Sequence, residues 1–325
     1  MNILFCLNDK YSSKLAVALS SLLDQNVTHM RDLVVYVRSC DLSDESKNGI
    51  YQVALKYNFP CDQIIFTDAS SVEKKLADKS LAAFKKNYIA YYKIFDLDKI
   101  TSDKRILVID CDTLVVGDIE DLYKTEMGSC PIGAVKEFPT KLNKHGTDES
   151  QEYNTGVLLV NLELYKKYDI QNVLLNYVQE MPEDWYTGDQ ALISLALSKE
   201  GYIFRLPLKY NFIISQMAFD SKPYFKIYNI GGGGYYSREE FEQAQSAPTI
   251  LHLISGNFVI SPWFDMASEP VKSLWRSYIK GTIWEKTYLE KLSYMQKLVV
   301  IGVRVFRKLL PSKVVTEILS KMYNK

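Results

Sequence analysis

Ile106-Leu107-Val108-Ile109 is an unbroken apolar run, three of its four residues β-branched, and it passes directly into Asp110-Cys111-Asp112. Such a run reads as a strand buried on both faces, which demands a sheet with helices packed on each side. The chain upstream supplies them. Residues 2–7 read as a first strand, and Leu15, Ala18, Leu19, Leu22 and Leu23 then follow helical spacing. Leu33–Val37 reads as a second strand. Ser43 stands as an N-cap before acids at 44 and 45 and an apolar stripe at Ile50, Val53, Ala54 and Tyr57. Gln63–Thr67 reads as a third strand, with Ile132–Val135 and Gly156–Val160 as later ones. Strands alternating with helices predict βαβ units, hence an α/β fold with a mainly parallel sheet flanked by helices.

In open α/β sheets, ligands bind outside the carboxyl ends of the strands. Asp110 and Asp112 emerge at such an end. Burying two acids side by side is costly unless a positive charge lies between them. A divalent cation carrying a diphosphate answers that need, whereas a bare Asp-x-Asp elsewhere would be an ordinary surface pair.

Acidic and basic residues balance at 39 each, so no nucleic-acid partner is expected. The balance conceals an asymmetry, because residues 286–325 hold nine Lys/Arg and two Glu, a net +7 set against −7 before them. Within that tail Met295, Leu298, Val299, Val305, Phe306, Leu309 and Leu310 form an apolar side, while Lys297, Arg304, Arg307 and Lys308 carry charge. Pro311 breaks this helix and Ser312 caps a second, with Val315, Ile318, Leu319 and Met322 on one face. A basic face beside an apolar one predicts binding to an anionic membrane surface. Docking on the catalytic body or dimerisation is the alternative. Five cysteines without a CxxC pair read as reduced thiols. The apolar start is too short for a secretory signal, and no uncharged run approaches the length of a membrane span. The expected location is therefore cytoplasmic, peripheral on the membrane. Lys141–Glu152 reads as a polar loop. Gly231–Gly234 reads as a flexible one, since no strand feeds it as a dinucleotide fingerprint requires.

Taken in order, several blocks over residues 1–263 resemble the family 8 glycosyltransferases, retaining galactosyl- and glucosyltransferases that use nucleotide sugars. The resemblance implies a GT-A-like, Rossmann-type catalytic domain over 1–265 and a C-terminal helical region over 266–325, its basic amphipathic tail starting near 286. The first block is Leu4-Phe5-Cys6-Leu7-Asn8-Asp9-Lys10-Tyr11, in which Asn8 would read the uracil edge and Tyr11 would stack on the base. Lys93 stands where the family usually carries an arginine and would keep a positive charge for the donor. Asp110 and Asp112 match the metal-binding pair, and His252 in Ile250-Leu251-His252-Leu253 matches the third ligand. Carboxylates with one imidazole favour Mn²⁺, with Mg²⁺ as the other choice. Cys111 and Gly256 fall in blocks that would contact the nucleotide. Asn154, in Tyr153-Asn154-Thr155-Gly156, would touch the donor sugar; in Thr187-Gly188-Asp189-Gln190, Asp189 would bind its hydroxyls and Gln190 would sit beside the anomeric carbon.

The resemblance implies transfer of a hexose from UDP-glucose or UDP-galactose to a saccharide, lipid-linked or glycoprotein acceptor, such as a growing bacterial surface glycan. One block departs from it. The family reads His-x-x-Gly-x-x-Lys-Pro-Trp, whereas here Ser261-Pro262-Trp263 follows a longer spacing and puts Ser261 in place of the lysine. Leaving-group stabilisation would then fall to the metal and Lys93, or to another lysine folded into the site. A catalytically weak UDP-sugar-binding partner is the non-enzyme alternative. A haloacid dehalogenase-like phosphatase is a weaker one, because Thr113 follows Asp112 one residue too early.

Overall fold

The computed structural model describes residues 1–79, 87–138, 152–178, 188–230, 236–256 and 259–323. Thr187, the glycine run and the polar loop up to residue 151 lie outside the described residues. Ten strands are described: β1 (Asn2–Cys6), β2 (Val34–Ser39), β3 (Ile64–Asp68), β4 (Arg105–Ile109), β5 (Thr113–Val115), β6 (Ile132–Lys136), β7 (Tyr153–Asn161), β8 (Ile203–Leu206), β9 (Phe212–Ile213) and β10 (Ile250–His252). Seven of them form one sheet in the order β3-β2-β1-β4-β7-β6-β8, and β5-β10-β9 form a small second sheet. All neighbours in the large sheet run parallel except at β7, which is antiparallel to both β4 and β6.

The apolar run in β4 has a simple explanation. Leu107 and Ile109 enter one core with Ile3, Phe5, Val35 and Val37, whereas Ile106 and Val108 enter the opposite core with Leu4 and Tyr36. Side chains alternate along a strand, so a strand covered on both sides must be apolar at every position. Helices α1 (Ser12–Gln25) and α2 (Asp44–Lys56) cover the first face, and α3 (Ser70–Asp78) the second. The Ser43 hydroxyl caps α2 by accepting from Ser46 N at 3.2 Å, as the sequence predicts. After α4 (Glu120–Tyr123), three helices line the second face: α5 (Leu162–Lys167), α6 (Ile170–Tyr177) and α7 (Asp189–Ser198). Then α8 (Ser221–Ile227), α9 (Arg238–Ser246) and α10 (Val271–Ile279) pack into the first core, where Trp275 of α10 is fully buried.

The tail forms two helices, α11 (Tyr294–Leu309) and α12 (Ser312–Tyr323). Their orientation differs from the sequence reading. Val300 is buried, Phe306 and Leu310 pack on the body, and basic side chains face inward beside them. Lys297 pairs with Asp265 at 2.6 Å, Arg304 donates to Met266 O and Ser268 Oγ, and Arg307 donates to Ala218 O at 2.7 Å. Long cationic side chains cover apolar surface with their stems and satisfy carbonyls with their heads, which suits them to this docking. The outward face of α11 is apolar instead: Tyr294, Leu298, Ile301, Val305 and Leu309 follow one another at helical spacing, and Leu309 is 74% exposed. On α12, Val315 and Leu319 are buried while Val314, Ile318 and Met322 are exposed, so the predicted single apolar face is divided.

Candidate active site

The acidic pair lies where β4 stops. Asp110 N donates to Gly156 O at 2.8 Å, as a last rung beyond the paired strands. The chain turns at Cys111-Asp112 and enters β5, which pairs antiparallel with β10 so that Thr113 lies opposite His252. Leu253 N donates to Asp112 O at 2.8 Å and locks the turn to β10. The small sheet thus carries His252 to the acids from 140 residues further along the chain. Ligand atoms of Asp110, Asp112 and His252 all lie within 4.8 Å of one another.

His252 is oriented from behind. Its Nδ1 lies 2.9 Å from Asn211 Oδ1, and Asn211 Nδ2 donates to Asn154 Oδ1 at 2.7 Å. Asn211 therefore offers the imidazole an acceptor, which assigns the proton to Nδ1. Nε2 then faces Asp112 Oδ1, 3.3 Å away, and donates to that carboxylate when the ring is protonated or turns a lone pair to a cation when it is neutral. Gly156 allows this approach, since a Cβ there would fall 2.1 Å from His252 Cε1. Burial alone would lower the His252 pKa, but the Asp112 carboxylate outweighs it and raises it. Burial works against ionised Asp112 too, yet His252 brings it below the usual carboxylate value. Asp110 is held above that value by burial, with Lys93 opposing and Asp112 adding to the rise. Two hard carboxylates and an imidazole with a fixed tautomer fit a divalent cation.

Lys93 is placed otherwise than the sequence suggests. It is buried, and its ammonium meets Asp110 Oδ1 at 2.8 Å, Asp110 Oδ2 at 3.0 Å, Thr155 O at 3.0 Å and Asp189 Oδ2 at 3.0 Å. With three donors spent on these oxygens, it serves as counter-charge to the acids rather than as a hand held out to a phosphate. Burial pulls its pKa down, and Asp110 and Asp189 push it up further, so the ammonium stays charged. Cys111 also differs from expectation. Its thiol turns into the core toward Cys6 O at 3.5 Å, because the middle side chain of the Asp-Cys-Asp turn points away from its neighbours.

Beside this centre lies an amide network. Asn154 Nδ2 donates to Glu137 Oε2 at 2.8 Å and lies 3.3 Å from Gln190 Oε1, while Gln190 Nε2 donates to Glu152 Oε1 at 2.9 Å. Asp189 is the first residue of α7, and its Oδ2 accepts from Thr155 Oγ1 at 2.6 Å. Sequence reasoning missed Glu137, Glu152 and Asn211. Glu137 could have been found by the rule that found Asp110, because it follows β6 at the same edge of the sheet. Burial raises its pKa, with the Asn154 amide and Phe138 N opposing. For Asn211, 41 residues from His252, no local signal exists.

Asn8 and Tyr11 follow β1 at that edge. Asn8 Oδ1 is buried without a hydrogen-bond partner among the described residues, and Tyr11 is 42% exposed. The Tyr11 hydroxyl is pushed up to about 12 by burial, with Asp112 and Glu290 adding to the shift. Gly256 packs against Ser215, whose Cβ would be 2.7 Å from a side chain there. Ser261 is buried and turned inward, its hydroxyl bonded to Leu253 O at 2.5 Å and to Ser255 Oγ at 2.6 Å.

Residues 2–267 match glycosyl transferase family 8. General stress protein A of Bacillus subtilis (strain 168) is 23% identical over 87% of this chain and 94% of its own length. Glycosyltransferase GlyF of Streptococcus pneumoniae serotype 4 (strain ATCC BAA-334 / TIGR4) is 23% identical over 83% of this chain, which spans only 60% of that relative. The galactosyltransferase LgtC, solved with donor and acceptor sugar analogues, superposes with a TM-score of 0.65 over 92% of this chain and all of its own, at 18% identity. The fold is of the GT-A type, and the chain belongs to glycosyl transferase family 8, the glycosyltransferases the sequence blocks resemble.

Proposed function

We propose that the protein is a metal-dependent, anomer-retaining hexosyltransferase that moves glucose or galactose from its UDP derivative to a saccharide, lipid-linked or glycoprotein acceptor. The convergence of Asp110, Asp112 and His252 at the end of β4 carries this reading. Mn²⁺, or Mg²⁺ in its place, would supply positive charge to the diphosphate as the sugar–phosphate bond breaks. Lys93 keeps Asp110 in place, and Asn211 keeps the His252 lone pair directed at the metal site. Asn8 Oδ1, without a partner among the described residues, suits the N–H of a uracil edge, and the Tyr11 ring suits its face. Asn154 and Gln190, flanked by Glu137 and Glu152, offer the mixed donors and acceptors that sugar hydroxyls require.

Retention is what the family 8 resemblance implies, and the side chains bear on how it would be reached. Oδ2 of Asp189 is held by Lys93 and Thr155, and Gln190 is a poorly nucleophilic amide. For a retaining transfer this favours attack by the acceptor hydroxyl from the leaving group's side, a phosphate oxygen taking the proton, over a covalent intermediate on Asp189. The outward apolar face of α11 and α12 supports a further step, attachment to the cytoplasmic face of an anionic membrane, where lipid-linked acceptors are found. No helix among the described residues is long and apolar enough to cross a membrane.

The test is UDP-glucose and UDP-galactose turnover with Mn²⁺, followed by NMR of the anomeric product. Chelator, Asp110→Ala and Asp112→Ala should each remove most activity from folded protein. Full turnover in chelator would refute the metal, and an inverted anomer would refute retention.

A further inference from the structure

Ser261 contributes no charge to the site, and Lys93 is fully occupied. A different lysine lies next to the wall read here as the nucleotide platform. Lys14, on the first turn of α1, has a side chain only 7% exposed, and its ammonium stands 4.2 Å from the Tyr11 ring centre and 4.8 Å from that of Trp263. For a buried cation it is thinly bonded. An ammonium carries three N–H donors, and among the described residues the one hydrogen bond from Lys14 goes to Glu290 Oε1 at 2.8 Å.

Glu290 is an unusual partner for so buried a group. Its side chain is 48% exposed. Its backbone is stitched to the segment after Ser261, Glu290 N donating to Trp263 O at 2.8 Å and Asp265 N donating to Glu290 O at 3.0 Å. A carboxylate at the rim therefore reaches in to a buried ammonium, beside the tyrosine that follows β1 past the same edge of the sheet from which Asp110 emerges after β4. A carboxylate also presents what a phosphate presents, hard anionic oxygens that accept hydrogen bonds. Its own exposure makes release cheap, since water can take over. The two aromatic faces hold the ammonium through such an exchange, because their attraction does not depend on which anion is present.

We infer that Lys14 is a second cation of the donor site and that Glu290 is a placeholder, which the diphosphate of the nucleotide sugar displaces. The inference rests on the UDP-sugar reading above and deepens it by assigning the leaving group a residue of α1. Two substitutions then act in opposite directions. Lys14→Met removes a charge-assisted bond to phosphate, so UDP affinity falls about tenfold or more. Glu290→Gln removes a competing anion, so UDP affinity rises severalfold. A merely structural ion pair predicts weakening by both.

The experiment is titration calorimetry of the full chain with UDP in the presence of Mn²⁺, and with uridine as the ligand lacking phosphate. The expected result is weaker UDP binding by Lys14→Met, tighter binding by Glu290→Gln, and uridine binding unchanged by either. Glu290→Gln alters a half-exposed position and carries the test if Lys14→Met fails to fold. Unchanged or weaker UDP binding by Glu290→Gln overturns the placeholder, and a uridine loss equal to the UDP loss shows that Lys14 acts only through Tyr11. Wild type that binds no UDP overturns this inference together with the donor reading, whereas wild-type binding with indifferent variants overturns this inference alone.

Discussion

Replacing Lys93 by methionine keeps the stem of the side chain and deletes its charge. Asp110 and Asp189 would then remain buried without the ammonium that now lies 2.8 to 3.0 Å from their oxygens. Removing one partner of a buried ion pair costs about 3–5 kcal/mol, chiefly because the surviving charge stays in a poorly solvating interior. The folded protein can escape part of that cost by protonating the acids. Asp110 already sits above the ordinary carboxylate value through burial, and losing Lys93, which opposes the rise, would send it higher. A carboxylate whose pKa is higher folded than unfolded destabilises at neutral pH, and the penalty fades as pH falls through the folded value. Lys93 behaves otherwise in the wild type. Its pKa is raised above the ordinary 10.5, so its contribution is complete below that value and constant over the range tested. The defect of Lys93→Met should therefore be largest at pH 8 and smaller at pH 5. Urea unfolding at both pH values, with and without Mn²⁺, measures it, and Mn²⁺ should restore part of the loss by returning positive charge to the acids. A variant within about 0.5 kcal/mol of wild type at pH 8, the range of an ordinary surface substitution, would refute this account. So would a penalty independent of pH.

Gly156→Ala should place a methyl against His252, costing about 1–3 kcal/mol by overpacking and lowering Mn²⁺ affinity about tenfold as the imidazole is displaced; thermal melts and metal titration would show both. Mn²⁺ affinity should rise with pH through the raised pKa of His252, because the metal needs the neutral ring, and stability owed to the protonated pair should be lost over the same interval in metal-free protein. A pH-independent affinity would remove His252 from the ligand set. Gln190→Ala should lower turnover of UDP-sugar more than it weakens UDP binding; collapse of UDP affinity with turnover intact would move Gln190 to the nucleotide. Leu298→Asp with Ile301→Asp should abolish cosedimentation with anionic vesicles while leaving donor hydrolysis intact, and unchanged cosedimentation would refute the outward face as the contact.

The large sheet was legible because its strands are long, apolar and bounded by clear helices. β1, β2, β3 and β4 lie within a residue or two of where periodicity puts them. Three features escaped, of which β8, only four residues long, was not read from the sequence at all. β7 is antiparallel, and nothing in its apolar run distinguishes that direction, since a strand buried on both faces has the same composition either way. The small sheet of β5, β10 and β9 was not foreseen either, because strands of two and three residues carry no period. Yet this sheet brings His252 to Asp112. The site was half legible for the same reason. Acids at strand ends follow a geometric rule, whereas the partners of Lys93, Lys14 and His252 are long-range choices made by packing.

The tail shows how composition can mislead even when periodicity is right. Its net +7 points to electrostatic attraction, and helical spacing correctly gives two amphipathic helices. The structure spends Lys297, Arg304 and Arg307 on docking α11 to the body and leaves the apolar side facing outward. Membrane attachment by this surface would depend mainly on apolar burial, with the basic residues elsewhere in the tail adding a salt-sensitive part. The docking also fixes geometry. Glu290 and Leu292, at the root of α11, bond to Trp263 and Asp265, and Glu290 reaches Lys14 beside Tyr11. A membrane holding the outward face of α11 would therefore hold the donor side of the site at a set height and angle. It would also bear on the one carboxylate that must leave Lys14 when a diphosphate arrives, so that surface attachment and donor binding are joined through a single short segment.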